Sequence, residues 1–216
     1  MSPWRRRSPE PTPEADAAAR RKLMDVALKE FERNPEASLE DVADRARVDR
    51  AQAVRLLEDR DGLIRATAMR GAERVGRAAF LDDGEPSEQI AMLIGRVWED
   101  QKDVLHVTRM AARGGFRSDV ENALTPLRAV LVVALQRGIA QDSVRTDIPE
   151  AALAWYVEQA AWDTLILAAA RPELASDWRR LAMTHALCAA GLGWREAAAV
   201  AHAAGARLDA ENHRPR

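Results

Sequence analysis

The sequence is poor in the residues that build β-sheets. Aromatic residues make up 5% of the 216 residues, with one Tyr and three Phe, and Ile and Thr are scarce. Because strands favour aromatic and β-branched residues, this shortage argues against a sheet-rich fold. Ala, Leu, Arg and Glu dominate instead, and all four favour helices. We therefore expect an all-α protein.

Cysteine and long apolar runs are equally sparse. The single cysteine, Cys188, excludes an intramolecular disulfide. The chain lacks a run of about 18 apolar residues, the length that predicts a membrane span. It also lacks the apolar segment that follows the charged start of a signal peptide. We expect a cytoplasmic protein with no membrane partner.

An excess of positive charge is also missing, since the formal net charge is −2. Binding to nucleic acid would therefore require a local basic surface. Residues 45–55 offer one: they contain four arginines and a single acid, Asp49, for a local charge of +3. A solvated helix face could show the same charge by chance.

Helical periodicity divides the chain into a small and a large part. Residues 1–16 hold four of the ten prolines without apolar periodicity, which predicts a disordered tail. Short helices follow over 17–61, and a larger helical part extends over 62–208, before a polar tail at 209–216. Within that larger part the pattern predicts helices at 87–101, 103–113, 118–138, 149–170 and 174–192, and one more after residue 193. The total is about nine to ten helices.

Two short helices, separated by about three residues, stand out between Ser38 and Leu63. This spacing is typical of a helix-turn-helix, in which the first helix supports the second and leaves one face of it exposed to the DNA major groove. The side chains expected to face inward are Val42, Ala43, Ala46, Val48, Ala53, Val54 and Leu57. A helical hairpin within a bundle is the alternative interpretation of the same pattern.

Residues 38–63, SLEDVADRARVDRAQAVRLLEDRDGL, resemble the helix-turn-helix of the tetracycline-repressor (TetR) family without a gap. Ser38 stands at the family's Thr, Val42 and Ala43 at its Ile-Ala, Asp49 at its Ser and Leu57 at its Phe. The segment LMDVALKEF upstream resembles the family's first helix. Residues 137–166 resemble the stretch before and within its eighth helix.

Four positions depart from the family pattern. Arg47 replaces the glycine of the turn, and a non-glycine residue with positive φ is strained there. Ala51 replaces a glycine, Gln52 a Thr, and Val54 the Tyr that typically contacts a DNA phosphate. These departures keep open the alternative of a TetR-like sensor or interaction protein that has lost operator binding.

The resemblance implies a helix-turn-helix DNA-binding domain at 17–61 and an effector-binding and dimerisation domain at 62–208. The family works as a repressor that binds a near-palindromic operator in double-stranded DNA as a homodimer, and a small-molecule effector releases it. Carried over to this chain, the DNA contacts fall on Ser38, Arg47, Arg50, Gln52, Arg55 and Arg60. Arginine suits guanine and glutamine suits adenine.

The effector pocket of the family lies among its middle helices. The candidates for ligand contact here are aromatic and nearby side chains, namely Trp98, His106, Met110, Trp155, Tyr156 and Trp162. Core packing is the alternative role for each. The helices at 149–170 and 174–192 are rich in Ala and Leu, which fits a four-helix dimer interface, with burial inside one subunit as the alternative.

The sequence gives little support to an enzyme. It contains no nucleophile elbow, phosphate loop, zinc-binding His-Glu-x-x-His helix or paired-cysteine site. His185 and Cys188 lie three residues apart on one helix, yet no further metal ligand is near them in sequence, so a packed histidine and a buried thiol are expected. No cofactor, metal or catalytic residue is predicted.

Overall fold

The predicted all-α architecture is confirmed by a computed structural model that describes residues 12–101, 107, 110 and 115–213. These described residues contain ten α-helices and no strand. The helices are α1 Pro13–Arg33, α2 Leu39–Ala46, α3 Arg50–Leu57, α4 Arg60–Ala78, α5 Pro86–Gln101, α6 Arg117–Ala123, α7 Thr125–Ala140, α8 Glu150–Ala170, α9 Trp178–Ala189 and α10 Trp194–Asn212.

Contacts divide the chain into two compact units, Met1–Thr67 and Ala68–Arg216. The division falls within α4, six residues after the boundary at 61 and 62 that the sequence pattern suggests. A helix that contributes side chains to two cores has no break in its periodicity, so the sequence offers no signal at this point.

In the first unit, α1, α2 and α3 pack against one another. Phe31, Val42 and Ala53, one from each helix, are fully buried. Small alanines allow the close approach that the sequence pattern predicts. Val54 does not face inward as predicted: it is 44% exposed, because the buried positions of α3, Ala53 and Leu57, are four residues apart and define a face that excludes it.

Capping residues fix where these helices begin. Thr12 caps α1, its hydroxyl accepting a hydrogen bond from the N–H of Ala15 at 3.2 Å, and Pro13 occupies the first turn. The helix thus starts four residues before the predicted Ala17, because its first turn is exposed and shows no apolar periodicity. Ser38 and Asp41 form a reciprocal capping box at α2.

The turn between α2 and α3 keeps the left-handed conformation even though glycine is absent. Arg47 has φ 51° and ψ 44°, and its N–H donates to the carbonyl oxygens of Ala43 and Asp44. Asp49 then caps α3, accepting a hydrogen bond from the N–H of Gln52 at 3.0 Å. The arginine therefore carries a backbone strain that a glycine would avoid.

Two helices of the second unit differ from the sequence prediction. The pattern at 118–138 predicts one helix, whereas α6 and α7 meet at Leu124 with a bend of 56°. Pro126 causes the break, since it has no N–H to donate within a continuous helix. The helix predicted at 174–192 is shorter: α9 covers Trp178–Ala189, Asp177 caps it at the N–H of Arg180, and a 3₁₀ turn at Pro172–Leu174 precedes it.

The core of the second unit surrounds α9, which packs against α5, α8 and α10. Met183 and Leu187 of α9 are fully buried. Gly95 permits the close approach of α5, because a Cβ at this position would lie 2.4 Å from Cδ1 of Leu208 and 3.0 Å from the sulfur of Met183. The last helix, α10, extends to Asn212, beyond the predicted end at 208.

None of the described helices is long and apolar enough to cross a membrane by itself. Only α6 and α7 taken together, bent at Leu124, have the length and composition for a span.

The strain at Arg47 predicts that Arg47→Gly stabilises the protein by about 1 kcal/mol, because glycine adopts a positive φ without a Cβ clash. Urea denaturation followed by circular dichroism measures the change. The matched control is Ala18→Gly at an exposed position within α1, where glycine is expected to destabilise by about 1 kcal/mol. A less stable Arg47→Gly protein would contradict the strain.

Candidate functional site

The exposed face of α3 is the first candidate site, a possible nucleic-acid interface. Ala53 and Leu57 turn toward the other helices of the first unit and are buried. Arg50, in the first turn of α3, and Arg55 are exposed, and Gln52 is half-buried. The helix therefore exposes two arginines, one at its start and one near its end.

Arg50 pairs with a carboxylate of the preceding helix. Its Nε donates to Oδ1 of Asp44 at 2.9 Å, and its Nη2 donates to Oδ2 of the same residue. The bond to Arg50 holds the pKa of Asp44 below its usual value. Both side chains are more than half exposed, so solvent screens this pair strongly.

Gln52 and Arg55 share a second carboxylate, Asp16 of α1. Arg55 donates from Nη1 to Oδ2 at 2.8 Å and from Nη2 to Oδ1 at 2.6 Å, and the amide nitrogen of Gln52 donates to Oδ1 at 3.0 Å. The hydrogen bonds from Arg55, and then from Gln52, lower the pKa of Asp16. Two predicted DNA-reading side chains thus converge on one acid.

The local charge of +3 expected from the sequence is offset by acids from elsewhere in the first unit. Besides Asp44 and Asp16, Glu30 of α1 lies 2.9 Å from Nε of Arg45. Within the part of the chain that the structure describes, no carboxylate is found paired with Arg47. Arg47 is therefore the cation of this cluster best placed to meet a phosphate without first leaving a partner.

Ser38 and Arg60, two predicted phosphate contacts, form hydrogen bonds within the protein. The hydroxyl of Ser38 donates to Oδ2 of Asp41 at 2.7 Å, as part of the cap of α2. Arg60 donates to the carbonyl oxygens of Ala37, at 3.1 Å, and Pro35. Its guanidinium also stacks over the ring of Phe31. Both side chains stabilise the connection between α1 and α2.

A cavity in the second unit is the second candidate site. Its volume is about 50 Å³, and residues of α4 to α9 line it. Trp98 and Trp162, two residues predicted from the sequence, lie in its wall. Apolar side chains make up most of the rest, such as Val75 and Leu127. The cavity thus has the apolar, partly aromatic character of a small-molecule site.

Of the other predicted ligand contacts, none that the structure describes lies in this wall. Trp155 and Tyr156 are 42% and 51% exposed on α8, with ring centroids 5.4 Å apart in an edge arrangement. Tyr156 lies on a different side of α8 from Trp162, whereas Trp155 shares that side but lies about two turns nearer the start of the helix. Met110 is half-buried outside the lining, and His106 lies outside the described residues.

A buried ion pair at the cavity is the feature that the sequence analysis missed. Glu158 lines the cavity and is 3% exposed. Arg128 of α7 donates to both of its carboxylate oxygens, at 2.8 and 2.7 Å. Burial raises the pKa of Glu158, and the bonds from Arg128 oppose this shift. The signal in the sequence was an acid four residues before Trp162, within an otherwise apolar stretch of α8.

His185 is exposed rather than packed, and its Nδ1 lies 3.0 Å from the hydroxyl of Thr164. Cys188 is half-buried, and burial raises the pKa of its thiol. Among the described residues, no group of three or more His, Cys, Asp or Glu side chains is arranged to hold a metal ion.

Comparison by sequence finds no relatives, since no protein-family model matches the chain and no curated protein matches it either. Comparison by structure finds the fold. A TetR-family transcriptional regulator from Streptomyces coelicolor matches with a TM-score of 0.58 at 17% identity, over 92% of this chain and 99% of that one. The chain therefore has the fold of the TetR-family transcriptional regulators.

Two further solved structures with this fold contain a ligand. RolR in complex with resorcinol matches with a TM-score of 0.52 at 17% identity, over 88% of this chain and 96% of that one. Thermus thermophilus FadR, a TetR-family transcriptional repressor in complex with lauroyl-CoA, matches with a TM-score of 0.53 at 14% identity, over 91% and 96%.

Proposed function

We propose that this protein is a DNA-binding transcriptional regulator that represses its target genes from a near-palindromic operator. The observation that carries the proposal is the second helix of a helix-turn-helix, α3, on which Arg50 and Arg55 are exposed and Gln52 is half-buried. A recognition helix of this size reads only a few base pairs, so a homodimer on two half-sites is the arrangement that gives a specific site.

Binding to DNA requires an arginine of α3 to exchange its intramolecular carboxylate for a phosphate or a base edge. The exchange is easiest for Arg50, because its pair with Asp44 is exposed on both sides and well screened. Arg47 needs no exchange with any partner among the described residues, and it precedes the N-terminus of α3, a favourable place for a phosphate. Together, Arg47 and Arg50 would position the protein on the phosphate backbone of DNA.

The dimer interface is assigned to the exposed side of α8. Trp155, Tyr156 and Leu167 of this helix are each more than 40% exposed. Large apolar side chains exposed along one helix are typical of surfaces that another chain covers. The contribution of α9 is smaller than the sequence suggests, since most of its apolar residues pack inside the subunit.

The effector is assigned to the cavity between α4 and α9. Pockets that hold drug-sized ligands have volumes of about 300 to 1,000 Å³. A cavity of about 50 Å³ therefore suits a small ligand and must widen to admit it. Arg128 already neutralises Glu158, and an added charge would lose its hydration without a partner. We therefore expect a small uncharged compound, such as a phenol, whose hydroxyl donates to Glu158. Resorcinol bound by RolR is a ligand of this kind.

A second candidate function is a sensor with this fold that no longer binds an operator. The pairing of Arg45, Arg50 and Arg55 with acids of the first unit favours it, because these pairs offset the positive charge that DNA requires. The two candidates differ in one measurable property, namely specific affinity for a duplex.

Fluorescence polarisation with a duplex from directly upstream of the protein's own gene tests DNA binding, with a shuffled duplex for comparison, at two salt concentrations. We expect tighter binding to the upstream duplex, weakened about tenfold by Arg50→Ala through loss of a base or phosphate contact. Arg195→Ala, which removes the same charge from an exposed position of α10, should leave the affinity unchanged. Equal affinity for both duplexes, or none, would support the sensor instead.

Sedimentation velocity tests the dimer. We expect a species of about twice the 23.9 kDa chain mass. Leu167→Glu should shift it to the monomer, because the carboxylate would be buried unpaired in the interface. Val133→Glu places the same charge at a 50% exposed position of α7 and serves as the control. A dimer that survives Leu167→Glu would exclude this side of α8.

Thermal denaturation with phenol and toluene as probes tests the cavity. Phenol should raise the Tm by about 2–5 °C at millimolar concentration and toluene by less, because only phenol can donate to Glu158. Ala161→Leu fills the cavity wall and should abolish the shift, whereas Ala199→Leu, exposed on α10, should preserve it. Equal shifts for the two probes would argue against a role for Glu158.

A further inference from the structure

The contact of Asp16 with α3 has a feature that ordinary surface pairs lack. One carboxylate receives three hydrogen bonds, from Nη1 and Nη2 of Arg55 and from the amide nitrogen of Gln52. The side chain of Asp16 is 20% exposed, whereas the acid of the Arg50 pair is 55% exposed. Both arginine pairs are bidentate, but the pair at Asp16 is less exposed and less screened by solvent, so Arg55 exchanges its carboxylate for DNA less readily.

Arg55 is withheld from DNA by this geometry. A guanidinium recognises guanine or phosphate through two parallel N–H groups. Nη1 and Nη2 of Arg55 both donate to Asp16. The charge of Arg55 is thereby balanced within the first unit.

Asp16 orients the side-chain amide of Gln52 but leaves part of it free to bind DNA. Its amide nitrogen has two N–H groups, of which Asp16 accepts one. The second N–H and the amide oxygen remain for the N7 and N6 positions of adenine, the pairing that glutamine favours. Because a carboxylate can only accept, Asp16 also determines which end of the amide is the nitrogen.

The location of Asp16 supports both effects. It lies in the first turn of α1, where the helix dipole favours a negative charge, and the cap at Thr12 fixes the start of that helix. Packing of α1 against α3 then holds the carboxylate opposite Gln52 and Arg55.

We propose that Asp16 is a specificity-determining positioning residue, which orients Gln52 to read adenine and keeps Arg55 from binding DNA without regard to sequence. The proposal rests on the proposed DNA-binding function. It adds a contribution from α1 that does not require Asp16 to touch DNA.

The test compares wild type, Asp16→Ala and Asp16→Asn by fluorescence polarisation on the upstream duplex and on the shuffled duplex across a salt series. Asp16→Ala releases Arg55, so affinity for the shuffled duplex should rise about threefold to tenfold, and the slope of log K against log salt should steepen by about 0.9, the value for one added phosphate contact. The ratio of upstream to shuffled affinity should fall about tenfold.

Asp16→Asn separates the two effects. Asparagine loses the charge that holds Arg55, but its oxygen can still accept from Gln52. Asp16→Asn should therefore show the same steeper salt slope as Asp16→Ala. It should also keep the wild-type preference for the upstream duplex over duplexes in which single A·T pairs are changed to G·C. In Asp16→Ala this adenine preference should be lost at one position of each half-site.

Two controls exclude indirect causes. Glu14→Ala removes one exposed carboxylate from the same turn of α1. It should change neither the ratio of upstream to shuffled affinity nor the slope of log K against log salt. Asp16→Ala combined with Arg55→Ala should return the shuffled-duplex affinity and the slope to wild-type values, which a merely unfolded α1 would not do.

The outcomes distinguish this proposal from the function on which it rests. If wild type prefers the upstream duplex and Asp16→Ala keeps the same ratio and slope, the role of Asp16 is overturned and the repressor stands. If neither protein binds any duplex, both the role of Asp16 and the proposed DNA-binding function are overturned. If only Asp16→Ala binds, the restraint on Arg55 is supported.

Discussion

Arginine pairs with carboxylates on other helices in both units, and these pairs decide what each candidate site can do. The arginines of α3 lie at the surface of the first unit, and their charges are balanced by Asp44 and Asp16. At the cavity, the pairing of Glu158 with Arg128 turns a buried charge into a neutral polar feature. A buried acid without such a partner would be costly to keep ionised.

The two units use this pairing under different solvent conditions. On α3 the pairs are partly or largely exposed, so water and salt weaken them and other anions can compete for the arginines. Around the cavity, Glu158 is almost fully buried and its partner is 26% exposed, so the pair is less screened and less exchangeable. An arginine–carboxylate pair is therefore an exchangeable surface contact in the first unit and a fixed element of the cavity wall in the second.

Much of the fold was predictable because local rules were sufficient. The caps at Ser38 and Asp49 and the apolar spacing of α2 and α3 give the helix-turn-helix, and composition gives the all-α class. The break at Leu124 escaped prediction, although Pro126 was the local signal. The exposure of Val54 also escaped, because its direction depends on which neighbouring helices cover α3. Of the predicted cavity contacts, Trp98 and Trp162 lie in the wall, whereas Trp155 and Tyr156 are exposed.

The sequence by itself determined the starts of α2 and α3, since caps and apolar periodicity act over three or four residues. It also determined that Arg47 must adopt a strained turn if the helix-turn-helix forms. Only the tertiary structure decided the partners of the charged side chains. Asp16 and Arg55 are 39 residues apart and Arg128 and Glu158 are 30 apart, and no local pattern encodes such pairs. Their geometry arises when helices pack, because charge pairing depends on distance in space rather than along the chain.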